Sequence, residues 1–579
     1  MKARAFLGFS LIQVFRPLRE NPLVLATVVG AVSGFFATAF WEAIATLEAS
    51  ISYFIWVAGA LGAFFRPLFP AVGAFLAVFL ARHLFGLPSP VGVEKVMADA
   101  RRAALGPPFR IVPAVFLTSL LCIGSGGSAG REAPVVVMGG SLAAWFARKL
   151  RLPGSSRQVL LAAGAAASIA AAFNAPLAGV FFAVEIVLGD LRSTSLLPVV
   201  LASATGAAVC RATEGSSTAA HLQVPAYTFA GFWEAFLYLG LGVLCGIAAP
   251  FFVRLLEGSK NLFQRLPTNR LLVALTGGLG VGLLGLLAPG VLGNGYPWLI
   301  DACSGTLSGV WAVTLLAGKM VATAVTLGTC GWGGDFAPML FVGAMVGGAY
   351  GKALETVLGV MVLHPGSYAM VGMGALLAAA VRCPLTAIAL LFELTGSYEV
   401  ILPIMIAVAG ATFVARRLLP LGLYHQRLKH LGGLAFEVAG WLPEVAVEQV
   451  MENDLVIFPE ATPLEDLLQK VLQHPQQTFP VVNSNGHLVG AVRLHDLRTV
   501  IRDLPSWVPL VAFDLAVAPV PVLTTAMPLG EAAEILTSSG WEELPVVRDA
   551  ADPRPCGLLS SKKVLAAALS HFPTTGDGR

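Results

Sequence analysis

Hydrophobic and polar positions divide this sequence into a long apolar part and a shorter part of mixed polarity. Apolar runs follow one another from about residue 22 to residue 419, and few charged residues interrupt them. Many of these runs are shorter than the roughly 20 residues that a simple membrane-spanning helix needs, and Gly or Pro flanks them. Because helices that stop inside a bilayer must line a cavity or pack in protein, the pattern predicts a polytopic all-α membrane domain of broken and tilted helices.

The part after residue 440 has the pattern of a soluble α/β protein. Residues 463–492 and 528–559 parallel each other, and Pro463 and Pro528 begin the two copies 65 residues apart. Each copy predicts a helix, a strand, a turn, a second strand and a final helix. We therefore expect a paired α/β module after the membrane domain.

These patterns give the domain boundaries. The assignments are an N-terminal segment at 1–20, a membrane domain at 21–430 with repeats at about 50–212 and 231–419, a linker at 431–445, and α/β units at 446–503 and 510–570.

Composition supports a membrane protein. The 579 residues are 56% hydrophobic and 12% charged, whereas soluble chains have about 25% charged residues. The net charge of +3 is too small to suggest a nucleic-acid partner. Basic residues in the first twenty positions predict a cytoplasmic N-terminus by the positive-inside rule.

The sequence offers no pattern typical of an enzyme or a metal centre. We find no nucleophile–base–acid set, no His or Cys group at metal-ligand spacing, and no phosphate-binding loop with a lysine. The seven cysteines are scattered, which favours reduced residues in packed interfaces. We expect neither hydrolytic activity nor a required cofactor.

The apolar part contains an internal repeat. The segment AAFNAPLAGVFFAVEI at 171–186 resembles AAVRCPLTAIALLFEL at 379–394, an offset of 208 residues. Upstream, GREAP at 130–134 resembles GDFAP at 334–338, an offset of 204 residues. Repeats with broken helices in matching positions indicate a transport site where the two halves meet. Chance recurrence of Gly, Pro and small residues is the alternative.

The glycine-rich segments suggest an anion site. A helix N-terminus carries partial positive charge and unpaired N–H groups, and glycine lets the backbone approach an ion closely. GSGGSAGREAP and GWGGDFAP each open an apolar helix, so two N-termini could point at one anion. The alternative is that these glycines only permit tight helix packing.

Glu132 is an ionisable residue beside this predicted site. When ionised, its carboxylate would compete with the anion for the same N–H groups, and when protonated it would move away. The alternative is an ion pair between Glu132 and Arg131 at a helix end.

Five segments together resemble the CLC family of chloride channels and chloride/proton exchangers that carry a C-terminal pair of CBS domains. They are GREAP, AAFNAPLAGVFFAVE, VRCPLTAIALLFELTG (381–396), GGDFAP and LYHQRL (423–428). The resemblance covers nearly the whole chain. It implies two inverted-topology repeats, a cytoplasmic CBS pair, a homodimer with one anion path per subunit, and chloride as the substrate. We expect the protein in the plasma (inner) membrane.

The resemblance also implies roles for single residues. Glu132 matches the external gating glutamate, and Tyr424 matches the tyrosine whose hydroxyl contacts the central chloride. The implied anion-binding residues are Gly130, Arg131, Glu132, Ala133, Asp335, Phe336, Ala337 and Tyr424, with Val91 and Gly92 where the family has its first signature.

Three departures from the family pattern affect the functional prediction. Val91 has no hydroxyl, so only the backbone near Gly92 could contact chloride there, which leaves a fluoride-specific relative as one alternative. Asp335 replaces an apolar residue, and we expect its side chain to point away from the anion and cap a helix N-terminus. Ile186 takes the internal proton-relay position and cannot hold a proton.

We predict chloride/proton antiport gated by Glu132. The alternative is a passive, gated chloride channel, which Ile186 favours because family channels usually have an apolar residue there. A ligand-sensing protein whose membrane part is a scaffold is a third reading.

The CBS pair implies an adenine-nucleotide site. The ribose-contacting positions match Arg493 and Asp496 in the first repeat and Ser560 and Lys563 in the second, so each repeat keeps half of the usual pattern. Dimer packing without any ligand is the alternative role.

Overall fold

The computed structural model describes residues 21–101, 104–189, 193–214, 231–359, 364–430, 445–471, 473–474, 476–494, 497, 510–539, 541–549 and 552–570. The described residues up to 430 form one compact unit, and those from 445 form a second. The proposed N-terminal segment 1–20 lies outside the described residues, as does all of the 431–445 linker except its last residue.

Helices fill the first half of the membrane unit. In chain order they are α1 (Pro22–Val57), α2 (Gly59–Phe65), α3 (Leu68–His83), α4 (Val93–Arg101), α5 (Ile111–Gly124), α6 (Glu132–Lys149), α7 (Gly154–Phe173), α8 (Pro176–Phe182), which continues as a π-helical segment (Ala183–Leu188), and α9 (Ser193–Glu214).

The second half is also helical. It contains α10 (Phe232–Arg265), α11 (Arg270–Leu287), a 3₁₀ turn (Pro289–Val291), α12 (Tyr296–Cys303), α13 (Gly309–Thr329), α14 (Phe336–Leu358), α15 (Pro365–Val381), α16 (Pro384–Thr395), α17 (Ile401–Leu418) and α18 (Leu423–His430).

Long and interrupted helices occur together in this unit. Among the described residues, seven helices are long and apolar enough to cross a membrane, and five further apolar segments have only 10–17 residues. The prediction of a polytopic all-α domain with broken helices is therefore confirmed.

The two halves break their helices in the same way. The residues that directly follow α7 and α15, Asn174 and Arg382, are both in the left-handed conformation, with φ of 51° and 70°. Pro176 and Pro384 then occupy the first turn of the next helix, where a missing N–H is tolerated. The sequence repeat at an offset of 208 residues is therefore also a repeat of backbone conformation.

Two glutamates link the halves reciprocally. Glu185 accepts hydrogen bonds from the first free N–H groups of α16 at 3.1 and 2.9 Å. Glu393 accepts from the first free N–H groups of α8 at 2.9 and 2.8 Å. Each carboxylate caps the positive end of the other half's helix, as expected for repeats related by a two-fold axis.

The second unit contains two small sheets of identical topology. Their elements are β1 (Phe458–Pro459), α19 (Leu464–Val471), β2 (Thr478–Val482), β3 (Leu488–Arg493), α20 (Ala512–Leu515), β4 (Leu523–Thr524), α21 (Leu529–Ser539), β5 (Glu543–Asp549), β6 (Asp552–Ser560) and α22 (Ser561–Ser570). In each sheet the first strand pairs in parallel with the second, and the second pairs antiparallel with the third. The predicted paired α/β module is confirmed.

Candidate anion site

The two glycine-rich segments meet at the centre of the membrane unit. The Gly130 N–H donates to the Gly334 carbonyl and the Gly334 N–H donates to the Gly130 carbonyl, each at 2.7 Å. A β-carbon at Gly334 would lie 2.9 Å from the Ala133 side chain, so only glycine permits this approach. Helices α6 and α14 begin directly after the paired glycines, and their N-termini lie side by side.

Glu132 lies at the junction of these N-termini. Its side-chain Oε2 accepts a hydrogen bond of 3.3 Å from the Ala337 N–H in the first turn of α14. The residue is 1% exposed. Its carboxylate therefore accepts from a backbone N–H that the sequence analysis predicted to bind an anion.

The alternative partner of Glu132 lies further away. Arg131 Nε is 3.9 Å from Glu132 Oε1, and neither atom has a hydrogen-bond partner among the described residues. The Arg131 guanidinium instead lies over the Trp41 ring, and its Cζ is 5.2 Å from the centroid of the Tyr296 ring. Both interactions of Glu132 are present, and the hydrogen bond to α14 is the shorter one.

Aromatic side chains close the site. Phe336 is the first residue of α14, and its ring centroid lies 5.7 Å from that of Phe173 and 6.2 Å from that of Phe182. Tyr424, on α18, is 1% exposed. Ala133 and Ala337 are buried beside them.

Asp335 does not adopt the predicted orientation. It is the N-cap residue of α14, but its side chain makes no capping hydrogen bond. Instead, Oδ1 accepts from the Tyr424 hydroxyl at 2.9 Å and Oδ2 accepts from Arg427 Nη1 at 2.6 Å. The expectation of a side-chain cap is wrong, because the carboxylate instead accepts from a positively charged guanidinium and a buried phenol that α18 places within reach.

A second acid lies at the position of the family's first signature. Val91 is half-buried, and Gly92 directly precedes α4. A β-carbon at Gly92 would lie 2.2 Å from Glu94 Oε2, so the Glu94 carboxylate lies against this backbone. The Gly92 region therefore contacts a carboxylate here.

The environment of Ile186 contains a fixed cation. Ile186 is fully buried, and Arg101 donates to its carbonyl at 2.8 Å and to that of Val187 at 3.2 Å. An apolar side chain thus occupies the position of the family's relay acid, and a guanidinium binds its backbone carbonyl.

The nucleotide candidates make contacts within their own unit. Arg493 lies over the Trp541 ring at 4.9 Å from its centroid. The Ser560 hydroxyl accepts from the Lys563 N–H at 3.3 Å, and Lys563 Nζ is 3.4 Å from a carboxylate oxygen of Glu452. The fourth candidate, Asp496, lies outside the described residues. Nucleotide binding stays a prediction.

Sequence reasoning missed three charged residues around this site. Glu94, Glu257 and Arg427 are all in apolar or interfacial helices, where an ionisable residue is costly and therefore a functional signal. Arg427 even lies inside the LYHQRL segment that identified Tyr424. The sequence contained these charged residues in apolar surroundings, but without the fold it does not show which helix faces lie at the site.

Comparison with known proteins agrees with these observations. The model of the voltage gated chloride channel family matches residues 73–416, and the CBS domain model matches residues 447–503 and 511–570. The H(+)/Cl(-) exchange transporter ClcA of Vibrio parahaemolyticus is 33% identical over 423 residues, or 70% of this chain and 89% of that protein. A putative chloride channel protein, ClcB-like, of Ralstonia nicotianae is 34% identical over 66% of this chain and 91% of that protein.

A solved structure shares the fold of both units. The crystal structure of a eukaryotic CLC transporter matches with a TM-score of 0.71 at 21% identity, and covers 95% of this chain and 98% of that chain. The expected combination of a CLC-type membrane domain with a CBS pair is confirmed. From the family match and the identity to its members, the chain belongs to the voltage gated chloride channel family.

Proposed function

We propose that this protein exchanges chloride for protons across a membrane and that Glu132 is its gate. The observation that carries the proposal is the hydrogen bond between the Glu132 carboxylate and the Ala337 N–H. A carboxylate and a chloride ion are both anions that helix N-termini stabilise, so they compete for one place. Occupation by one excludes the other.

Protonation of Glu132 supplies the coupling. The neutral carboxyl no longer gains from the dipole of α14, so it leaves the N–H groups of the first turn. Chloride then enters between the two paired N-termini, where glycine leaves the backbone open. Return of the carboxylate expels the ion and requires loss of the proton, which links the two fluxes.

The named relatives support exchange and also supply the alternative. The Vibrio relative is named as a proton/chloride exchanger, whereas the Ralstonia relative is named as a putative channel. Ile186 favours the channel reading, because no proton can reside on its side chain. Glu132 favours exchange, because the gate itself is a proton acceptor.

The deciding experiment measures both ions at once. The full-length protein is reconstituted in sealed liposomes with an outward chloride gradient and no proton gradient. We expect chloride efflux to drive protons inward and to acidify the lumen. Chloride efflux without proton movement would leave the channel reading, and absence of any flux would leave the ligand-sensing scaffold.

Two variants assign the gate. Glu132→Gln removes the charge and keeps the shape, so we expect retained chloride efflux with neither proton movement nor pH dependence. Glu355→Gln is the control, since Glu355 is an acid near the C-terminal end of α14, far from the first turn that contacts Glu132, and pairs with Lys352 at 2.9 Å. Full pH dependence in Glu132→Gln would place the gate elsewhere.

The remaining expectations form part of the proposal. Replacing chloride by fluoride in the same liposomes tests the fluoride alternative that Val91 suggested. The plasma membrane location, the cytoplasmic position of the CBS pair and the homodimer follow from the family. Cross-linking and protease access in oriented vesicles would test them.

A further inference from the structure

Asp335 is a second carboxylate at the candidate anion site. It is 2% exposed and is held by two donors of α18, the Tyr424 hydroxyl and Arg427. Tyr424 is the residue whose hydroxyl the sequence assigned to chloride. In this structure a carboxylate therefore takes the hydroxyl that chloride would use.

Asp335 and Glu132 share one helix N-terminus. Asp335 is the N-cap of α14, and Glu132 binds the N–H of Ala337 two residues later. The paired backbones of Gly130 and Gly334 hold the two segments together. One acid from each repeat therefore lies at the start of α14.

A chain of polar groups leads from Asp335 towards solvent. Arg427 donates to Asp335 through Nη1 and to Glu257 through Nε, the latter at 2.7 Å. Side-chain exposure rises along this chain, from 3% for Asp335 to 14% for Arg427 and 20% for Glu257. Water can therefore exchange protons with its outer end more readily than with Asp335 directly.

The family's own relay position offers no equivalent. Ile186 is buried and apolar, and the guanidinium of Arg101 is bound to its carbonyl. A proton moving through this protein needs another carrier.

We propose that Asp335 is the second proton-carrying residue of the transport cycle. A proton from water at the Glu257 side adds to an Asp335 carboxylate oxygen, and the neutral carboxyl releases the Tyr424 hydroxyl to chloride. The proton then leaves Asp335, crosses the site by way of water, and adds to the Glu132 carboxylate. Each transfer breaks one O–H bond and forms another, so no electron donor or acceptor is required.

The surrounding charges are part of this proposal. Among the described residues, the ionisable groups that interact with Asp335, Tyr424 or Arg427 include Glu132 at the start of α6, Glu94 on α4, Glu257 on α10, and Cys383 before α16. Arg427 interacts with the three acids Glu94, Glu257 and Asp335.

The first test is the flux ratio, and it rests on the exchange proposed above. In liposomes, Asp335→Asn should keep chloride efflux while the proton-to-chloride ratio falls by about 10²-fold, as for loss of a positioned proton-transfer group. Asp335→Glu should restore proton movement. Asp99→Asn is the control, because Asp99 is also a buried acid paired with a cation, Lys95 at 2.7 Å.

The outcomes separate the two proposals. Wild-type protein that moves no protons would overturn the exchange itself. Wild-type protein that couples, with Glu132→Gln uncoupled and Asp335→Asn still at the wild-type ratio, would overturn the role of Asp335 alone.

A second test does not depend on transport. Chloride binding to Glu132→Gln is measured by calorimetry in buffers of different ionisation enthalpy, which reports protons taken up with the ion. We expect uptake in Glu132→Gln and its loss when Asp335→Asn is added. Equal proton uptake by the double variant would overturn the proposal, even if that variant does not transport chloride.

Discussion

At the scale of the residue, the site depends on contacts that only glycine permits. A β-carbon at Gly130 would lie 2.3 Å from Glu132 Oε2 and 3.0 Å from the Ala337 N–H. The carboxylate is the end of a flexible side chain, so it is the group that would move.

Gly130→Ala should therefore weaken closure of the gate. The hydrogen bond from Ala337 to Glu132 would be lost, and we expect chloride efflux at alkaline pH to rise roughly tenfold, the equivalent of one hydrogen bond to a charged group. The pH dependence of efflux should become shallower. Gly258→Ala is the matched control, since a β-carbon there meets nothing within 4 Å. Unchanged alkaline efflux in Gly130→Ala would contradict the assigned contact.

At the scale of the element, reciprocal capping by Glu185 and Glu393 joins the two repeats. Glu185 makes three hydrogen bonds to the first turn of α16, because the Thr386 hydroxyl also donates to it at 2.8 Å. Glu393 makes two hydrogen bonds to the first turn of α8. Both acids are half-buried, and each contacts the first turn of a helix of the other repeat.

Glu185→Gln should lower stability without changing transport. A neutral amide loses the favourable interaction with the helix dipole and places an NH₂ group against backbone donors, at a cost of about 1–2 kcal/mol. Thermal unfolding in detergent should show a larger loss for Glu185→Gln than for Glu393→Gln, in line with the extra hydroxyl contact. A change in the proton-to-chloride ratio in either variant would indicate that the acid does more than cap a helix.

At the scale of the whole molecule, the second unit carries its own pH dependence. Glu543 accepts from the N–H groups of Gln477 and Thr478 at 2.8 and 3.1 Å, so it joins the two CBS repeats. Partial burial raises the pKa of the Glu543 carboxyl, although these N–H groups oppose the shift. The folded state thus binds the proton more tightly than the unfolded chain does.

Stability at this contact should fall as pH rises. The contribution is complete below the unfolded pKa of about 4.3 and is lost as pH passes through the higher folded value. The protection of the β2 and β5 amides against hydrogen exchange in the full chain, corrected for intrinsic exchange rates, should decrease as pH rises. Glu543→Gln should remove this pH dependence. Glu531→Gln, an exposed acid on α21, should keep the pH dependence. If the pH dependence remains in Glu543→Gln, it comes from another titratable group.

The sequence by itself determined the architecture and the two helix N-termini at which the candidate site lies. Short apolar runs between Gly and Pro can only be interrupted helices, because proline and left-handed residues end a helix wherever they occur. The repeated GREAP and GDFAP segments located both helix N-termini, since glycine is needed for close backbone approach. Local chemistry fixes such features, so they can be read without a fold.

Only the tertiary structure decided which charges meet. Asp335 precedes Tyr424 and Arg427 by 89 and 92 residues in the chain, and its hydrogen bonds to them depend on how α18 packs beside α14. Sequence reasoning therefore gave Asp335 a local cap as its partner and did not consider Arg427. A buried carboxylate takes the strongest donor within reach, and which donor is within reach is a property of the packed molecule.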